Sequence, residues 1–192
     1  MVGACDKSRY EHHRAFLIHK SEDEMTIHFL VDQTLIPLNG RLVYRTNDSA
    51  FDFERIDAQQ LVQRIGQGGS TSLTLGTLQI EIGVGTSIAL YVWGYHPQAS
   101  WRHGELPRIE TQPSGVRIAL ANEGWSDLER GISIGLVEIN EWPTIYDAKS
   151  GWLCIGSPNM HNSSDCVEFA SDTVAVIQGD ILTALWLHPK IK

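Results

Sequence analysis

Apolar and polar residues alternate with a period of two through residues 77–95 (TLQIEIGVGTSIALYVWGY), the pattern of a strand pair buried on one side only. Leu78, Ile80, Ile82 and Val84 alternate with Thr77, Gln79, Glu81 and Gly83. The returning limb offers two sets, either Ile88, Leu90 and Val92 or Ala89, Tyr91, Trp93 and Tyr95. Loop parity decides which set joins the core. An odd loop around Gly85 sets Ile82 opposite Ile88, Ile80 opposite Leu90 and Leu78 opposite Val92. The aliphatic residues then share one face, and Thr77, Gln79 and Glu81 lie beside Tyr91, Trp93 and Tyr95 on the other. A two-residue loop instead sets isoleucines against rings and exposes aliphatics.

Most of the remaining chain also reads as short strands. Residues 14–20 (RAFLIHK) and 25–32 (MTIHFLVD) are expected to pair around the acidic turn at 21–24, and 41–45 (RLVYR) follows the Asn39-Gly40 turn. One helix stands out near residues 57–66, where Asp57 caps, Leu61, Ile65 and Ala58 share a face, and Gly66 ends the run. Residues 66–72 (GQGGSTS) read as a flexible link, and 96–115, with three prolines, as a long surface loop. Strands are expected at 116–121 and 132–139. A hairpin is expected across 142–155, and another across 173–187 (TVAVIQGDILTALWL). Both faces of the last hairpin are apolar, so it belongs in the centre of a sheet. No repeat and no low-complexity segment occurs, and the strands do not alternate with long helices, which disfavours doubly wound α/β folds. The expected fold is mainly β (β-rich α+β): antiparallel sheets in a sandwich or partly closed barrel, with one short helix, in a single domain over 1–192.

Composition narrows the partners. Lys and Arg number 15 against 23 Asp and Glu, a net charge of −8, with no basic stripe to neutralise a phosphate backbone, so no nucleic-acid partner is expected. No window approaches the roughly 18 apolar residues of a membrane span, so neither is a membrane partner. Cys5, Cys154 and Cys166 are an odd, sparse set, in keeping with reduced thiols and a cytoplasmic location. On that reading the Asn-x-Ser triplets at Asn47 and Asn162 are chance matches.

Catalytic and metal constellations are thin. Cys154, His161 and Cys166 lack the closely paired ligands of structural zinc, and adjacent His12 and His13 point to opposite sides of a strand. Ser157, His161 and Asp165 lie near one another in sequence, without a G-x-S-x-G elbow. Residues 66–70 follow a helix instead of preceding one and lack the Gly-Lys-Ser/Thr ending of a phosphate loop. Glu138, Glu141, Glu105 and Glu110 form no motif, since separation and burial set the role of a carboxylate pair. No metal, no cofactor and no catalytic residue is assigned.

Aromatic residues carry the functional expectation. Of six tryptophans, Trp186 is expected in the core, and Trp142 and Trp152 are expected to face each other across a turn. Trp93 lies on the less apolar hairpin face, while Trp101 and Trp125 lie in charged loops. Rings of large area beside acids suit a protein-binding patch that steers a basic partner. The expected partner-binding set is Tyr91, Trp93, Tyr95, Trp101, Glu105, Glu110, Glu123, Trp125, Asp127 and Glu129. The competing expectation is that a second layer covers Trp93.

The profile is similar in kind to bacterial immunity proteins, in composition and style alone. It points to a non-catalytic protein-binding domain, of the immunity or inhibitor type, acting on a basic toxin or enzyme. Two alternatives belong to other classes. One is an enzyme assembled from dispersed His96, His103, His161 and carboxylates. The other is a small-ligand or carbohydrate module using Tyr91, Trp93 and Tyr95 as a stacking platform.

Overall fold

The computed structural model describes residues 26–55, 57–121, 128–136, 142–159 and 164–192. In chain order the first elements are β1 (Thr26–Asp32), β2 (Gly40–Arg45), β3 (Ala50–Arg55), helix α1 (Ala58–Ile65), β4 (Ser70–Leu75), β5 (Leu78–Gly83) and β6 (Ala89–Tyr95). A 3-10 turn at Gln98–Ser100 precedes β7 (Trp101–His103), β8 (Gln112–Pro113), β9 (Gly115–Ala121) and β10 (Ile134–Gly135). Then come β11 (Thr144–Tyr146), β12 (Leu153–Gly156), β13 (Ser164–Ala170), β14 (Thr173–Gln178), β15 (Ile181–Leu187) and β16 (Lys190–Ile191).

Two seven-stranded sheets, in the orders β10-β4-β5-β6-β3-β2-β16 and β7-β11-β12-β15-β14-β13-β8, are joined by a two-stranded ribbon of β1 and β9. The expected sandwich is the observed architecture. Leu42, Tyr44, Phe51, Ile80 and Val92 of the first sheet share one buried core with Leu153, Ile155, Phe169, Ala175 and Leu185 of the second. Each sheet is antiparallel in the middle and ends on both margins in a strand of two or three residues paired in parallel. Such short margins leave little free edge for another chain to extend.

The β5–β6 hairpin segregates its side chains as expected, in a different register. Ile80 faces Val92 and Leu78 faces Gly94, two residues beyond the expected partners, and a bulge at Leu90 leaves Ile82 opposite Ala89. The turn tightens through Ser87 N–H donating to the Gly83 carbonyl at 2.7 Å, with Ser87 at φ 57°. A displacement of two preserves parity for Leu78 and Ile80, whereas the single-residue bulge sets Ala89, expected in the outward set, opposite Ile82 and in the core.

One expected link is a strand instead. Ser70–Leu75 is β4, not a link: Thr71 and Ser72 are buried, and the Thr71 hydroxyl donates to the Ile132 carbonyl at 2.5 Å. β1 pairs with β9, and residues 14–20, its expected partner, lie outside the described residues. The strand expected over 132–139 is observed at Ile134–Gly135, and 137–139 lie outside the described residues.

The β14–β15 hairpin is central, as its two apolar faces imply. Ala175, Ile177, Leu185 and Leu187 face the main core, whereas Val174, Val176, Ala184 and Trp186 form a second apolar layer with Cys154 on the opposite side. Leu106 and Ile109 of the long loop cover that layer. The loop runs as a strap from β7 on one margin of the second sheet to β8 on the other. Six strand spacings of about 4.8 Å make ~29 Å, and nine residue steps from His103 to Gln112 at about 3.3 Å make ~30 Å, so the strap is close to fully extended.

Helix α1 closes one end of the first sheet. Asp57 caps it by accepting the Gln59 and Gln60 N–H groups at 2.9 and 3.0 Å, and Gly66, at φ 67°, ends it with its N–H on the Val62 carbonyl. Leu61 is buried as expected. Ile65 packs partly buried against the same core as expected, whereas Ala58 is exposed and the other buried helix residue is Arg64, whose guanidinium donates to the Ile36 carbonyl. The β1–β9 ribbon connects two hairpin turns: Phe29 N–H donates to the Asp180 carbonyl and Ile118 N–H to the Ser87 carbonyl, each at 2.8 Å.

Candidate protein-binding face

Alternation along β5 and β6 places Gln79 opposite Trp93 and Glu81 opposite Tyr91 on the outer face of the first sheet. The opposite faces of these strands supply Leu78, Ile80 and Val92 to the core, each at most 1 % exposed. Trp93 is 36 % exposed and Tyr95 52 %, so among the described residues no second layer encloses them. Tyr91 is half-buried and stacks on Phe53, ring centroids 5.4 Å apart.

One carboxylate organises this face. Glu81 Oε2 accepts the Ser72 hydroxyl at 2.9 Å and the Trp93 indole N–H at 3.1 Å. A tryptophan has a single polar donor, so this bond fixes the ring in place while its surface stays open. Neighbouring β3 adds Asp52 and Glu54, which point outward because Phe51 and Phe53 take the inward positions. Arg45 donates to Asp52 at 2.9 Å and to Glu54 at 3.3 Å, and Lys192 donates to Glu54 at 2.6 Å. The Lys192 ammonium is the largest influence holding the Glu54 carboxyl below the usual range. This charged border was missed in the sequence, although residues 50–55 (AFDFER) carry the same period-two signal as the hairpin.

The other expected residues separate. Trp101 is a core residue at 8 % exposure, its ring 4.7 Å from Tyr44 and 5.5 Å from Tyr146. Glu105 and Glu110 are exposed, but on the strap over the second sheet, away from Trp93. Glu129 is exposed beside the β4 margin, where Gly131 N–H donates to the Ser70 carbonyl. Glu123, Trp125 and Asp127 lie outside the described residues. The face therefore carries Trp93 and Tyr95 exposed and Tyr91 half-buried against Phe53, with Glu81 bonded to Trp93 and Asp52 and Glu54 as further acids of the same sheet. Trp142 and Trp152 do not meet across their turn: Trp152 stacks on His188 at 5.0 Å, and Trp142 packs against Gly156.

Several of the candidate chemical groups are engaged by neighbours or buried. His96 Nε2 lies 2.8 Å from the Thr144 hydroxyl, and burial pushes the imidazole down to about 4, so it is neutral near pH 7. His103 packs edge-on against Tyr146, 5.7 Å between centroids. Burial pushes the Cys154 thiol up to about 12 and also raises Cys166, the reverse of what a nucleophile or metal ligand needs. Asp165 accepts from Gln112 at 3.3 Å, and Ser157 Oγ accepts the Asn159 N–H at 3.3 Å, while His161 lies outside the described residues. Among the described residues no three His, Cys, Asp or Glu side chains converge as metal ligands, and no helix is long and apolar enough to cross a membrane. No protein-family model, no curated protein and no solved structure matches the chain.

Proposed function

We propose that this chain is a non-catalytic protein-binding domain of the inhibitor or immunity type, docking a basic partner on the outer face of its first sheet. The observation that carries this reading is the open pair Trp93 and Tyr95 on a sheet whose opposite face is core. A large ring already held in place, as Trp93 is by Glu81, loses little conformational freedom on binding, and such residues dominate interface energetics. The net charge of −8 supports the basic character of the partner, since it accelerates encounter with a cationic surface. Glu105 and Glu110, on the other sheet, then act through this general field and make no direct contact.

Binding of a basic partner by the W93A/Y95A double variant tests the reading. Loss of two central aromatic anchors at about 2 kcal/mol each weakens binding by roughly three orders of magnitude. The far-ultraviolet spectrum and melting temperature stay close to those of the parent. Unchanged affinity in the folded double variant places the interface elsewhere and overturns the proposal. Raising ionic strength is expected to slow association; a salt-independent association rate removes the steering component.

A further inference from the structure

The acids of the docking face and of the ribbon are not equivalent. Asp52 holds Arg45, Glu54 holds Arg45 and Lys192, and Asp32 on the ribbon holds Arg117 at 2.6 Å. Glu81 is bonded to two neutral donors, both on Oε2. An ionised carboxylate has room for about four donors, and among the described residues nothing donates to Glu81 Oε1. Among the described residues the carboxylate is thus fixed in position without a cation, and the indole it holds is 36 % exposed.

We infer that Glu81 and Trp93 seat one arginine side chain of the partner. The guanidinium lies over the Trp93 ring and donates to Glu81 Oε1. A planar cation gains from the ring quadrupole and from a directed bond to the oxygen together, and tryptophan is the best of the aromatic faces for this. Lysine meets the charge requirement but does not stack as a plane. The inference rests on the docking face proposed above and names the chemistry at its centre. Charge complementarity selects the occupant, because an acidic side chain meets Glu81 repulsively and an aliphatic one leaves Oε1 buried without a donor.

The experiment is a titration of the isotope-labelled chain with N-acetylarginine amide, following the Trp93 indole N–H resonance, assigned through W93F. The expected result is a saturable shift in the millimolar range. Neutral N-acetylcitrulline amide is expected to give none, and the corresponding lysine amide to bind more weakly. E81Q retains an oxygen for the Ser72 and Trp93 donors, so the fold is kept. Loss of the charge is expected to weaken arginine binding about fivefold. A stationary indole resonance, an equal response to citrulline, or unchanged binding by E81Q overturns the seat. A partner lost by W93A/Y95A but indifferent to E81Q overturns the seat and leaves the docking face standing. An arginine response at Trp93, with partner binding unaffected by W93A/Y95A, supports the seat and overturns the docking face.

Discussion

His96 shows what a single buried side chain contributes to pH behaviour. The folded chain keeps its imidazole neutral down to about pH 4 because burial penalises the charged form, whereas the unfolded chain protonates it near 6.5. Between those values the unfolded state binds the extra proton, so stability falls as pH decreases from 6.5 towards 4 and levels off below. H96N keeps a polar group near Thr144 without titrating. The stability gap between parent and H96N, measured by urea unfolding, is expected to shift against the parent by on the order of 2–3 kcal/mol across that window; a constant gap contradicts the burial of the ring. Asp32 titrates lower in pH. Its carboxyl is held at about 2, first by the Thr34 hydroxyl at 2.5 Å, then by the Arg117 guanidinium and the Thr34 N–H. Its contribution is therefore present above pH 4 and disappears as pH falls towards 2. The difference between parent and D32N should close over that acid range, and a difference persisting at pH 2 counts against the pairing.

At the scale of the element, the strap is the part whose role changes most once its path is known. Proline content marks residues 96–115 as irregular, yet the segment places a strand on each margin of the second sheet and lays Leu106 and Ile109 on its outer apolar layer. Asp147, in the β11–β12 turn, fastens the strap by accepting the Leu106 N–H at 3.3 Å while also accepting those of Lys149 and Ser150. Truncating both apolar side chains in L106A/I109A is expected to lower stability by about 2–4 kcal/mol in urea unfolding and to uncover Trp186, raising its exposure to an aqueous quencher. Stability within 0.5 kcal/mol of the parent, about the error expected of a neutral surface change, shows that the strap is a loose covering. The same path explains why the β14–β15 sequence is apolar on both sides: one face meets the first sheet and the other meets a segment about 70 residues earlier in the chain.

For the whole molecule, the β1–β9 ribbon and the C-terminal strand bring distant parts of the chain together. The ribbon bonds to the β5–β6 turn through Ser87 and to the β14–β15 turn through Asp180, where His28 also meets the Asp180 carboxylate. β16 pairs Lys190 with Val43 on the margin of the first sheet, and Thr46 N–H donates to the Lys192 carbonyl at 3.0 Å. With one core shared by both sheets and contacts of such long sequence separation, the chain is expected to unfold in one cooperative transition and to refold slowly. Coincident urea curves from tryptophan fluorescence and far-ultraviolet dichroism check this; two separated midpoints show that the sheets unfold as separate units.

Period-two alternation by itself determined the β class, the segregation of the β5–β6 hairpin and the central place of β14–β15, because a strand sends successive side chains to opposite faces whatever its partner is. It also marked Tyr91, Trp93 and Tyr95 as one outward set, while the equally regular residues 50–55 went unread and with them the acids beside that set. Register was beyond it: a shift of two keeps Leu78 and Ile80 on their face, and the one-residue bulge at Leu90 that turns Ala89 inward leaves no trace in the pattern. Which loop residues meet was decided by tertiary structure alone. Trp101 and Glu105 are four positions apart, yet packing against Tyr44 and Tyr146 draws one into the core while the extended strap carries the other over the outer side of the same sheet. The bond from Trp93 to Glu81 likewise required two strands to be paired at a particular offset, and no local feature of either strand specifies that offset.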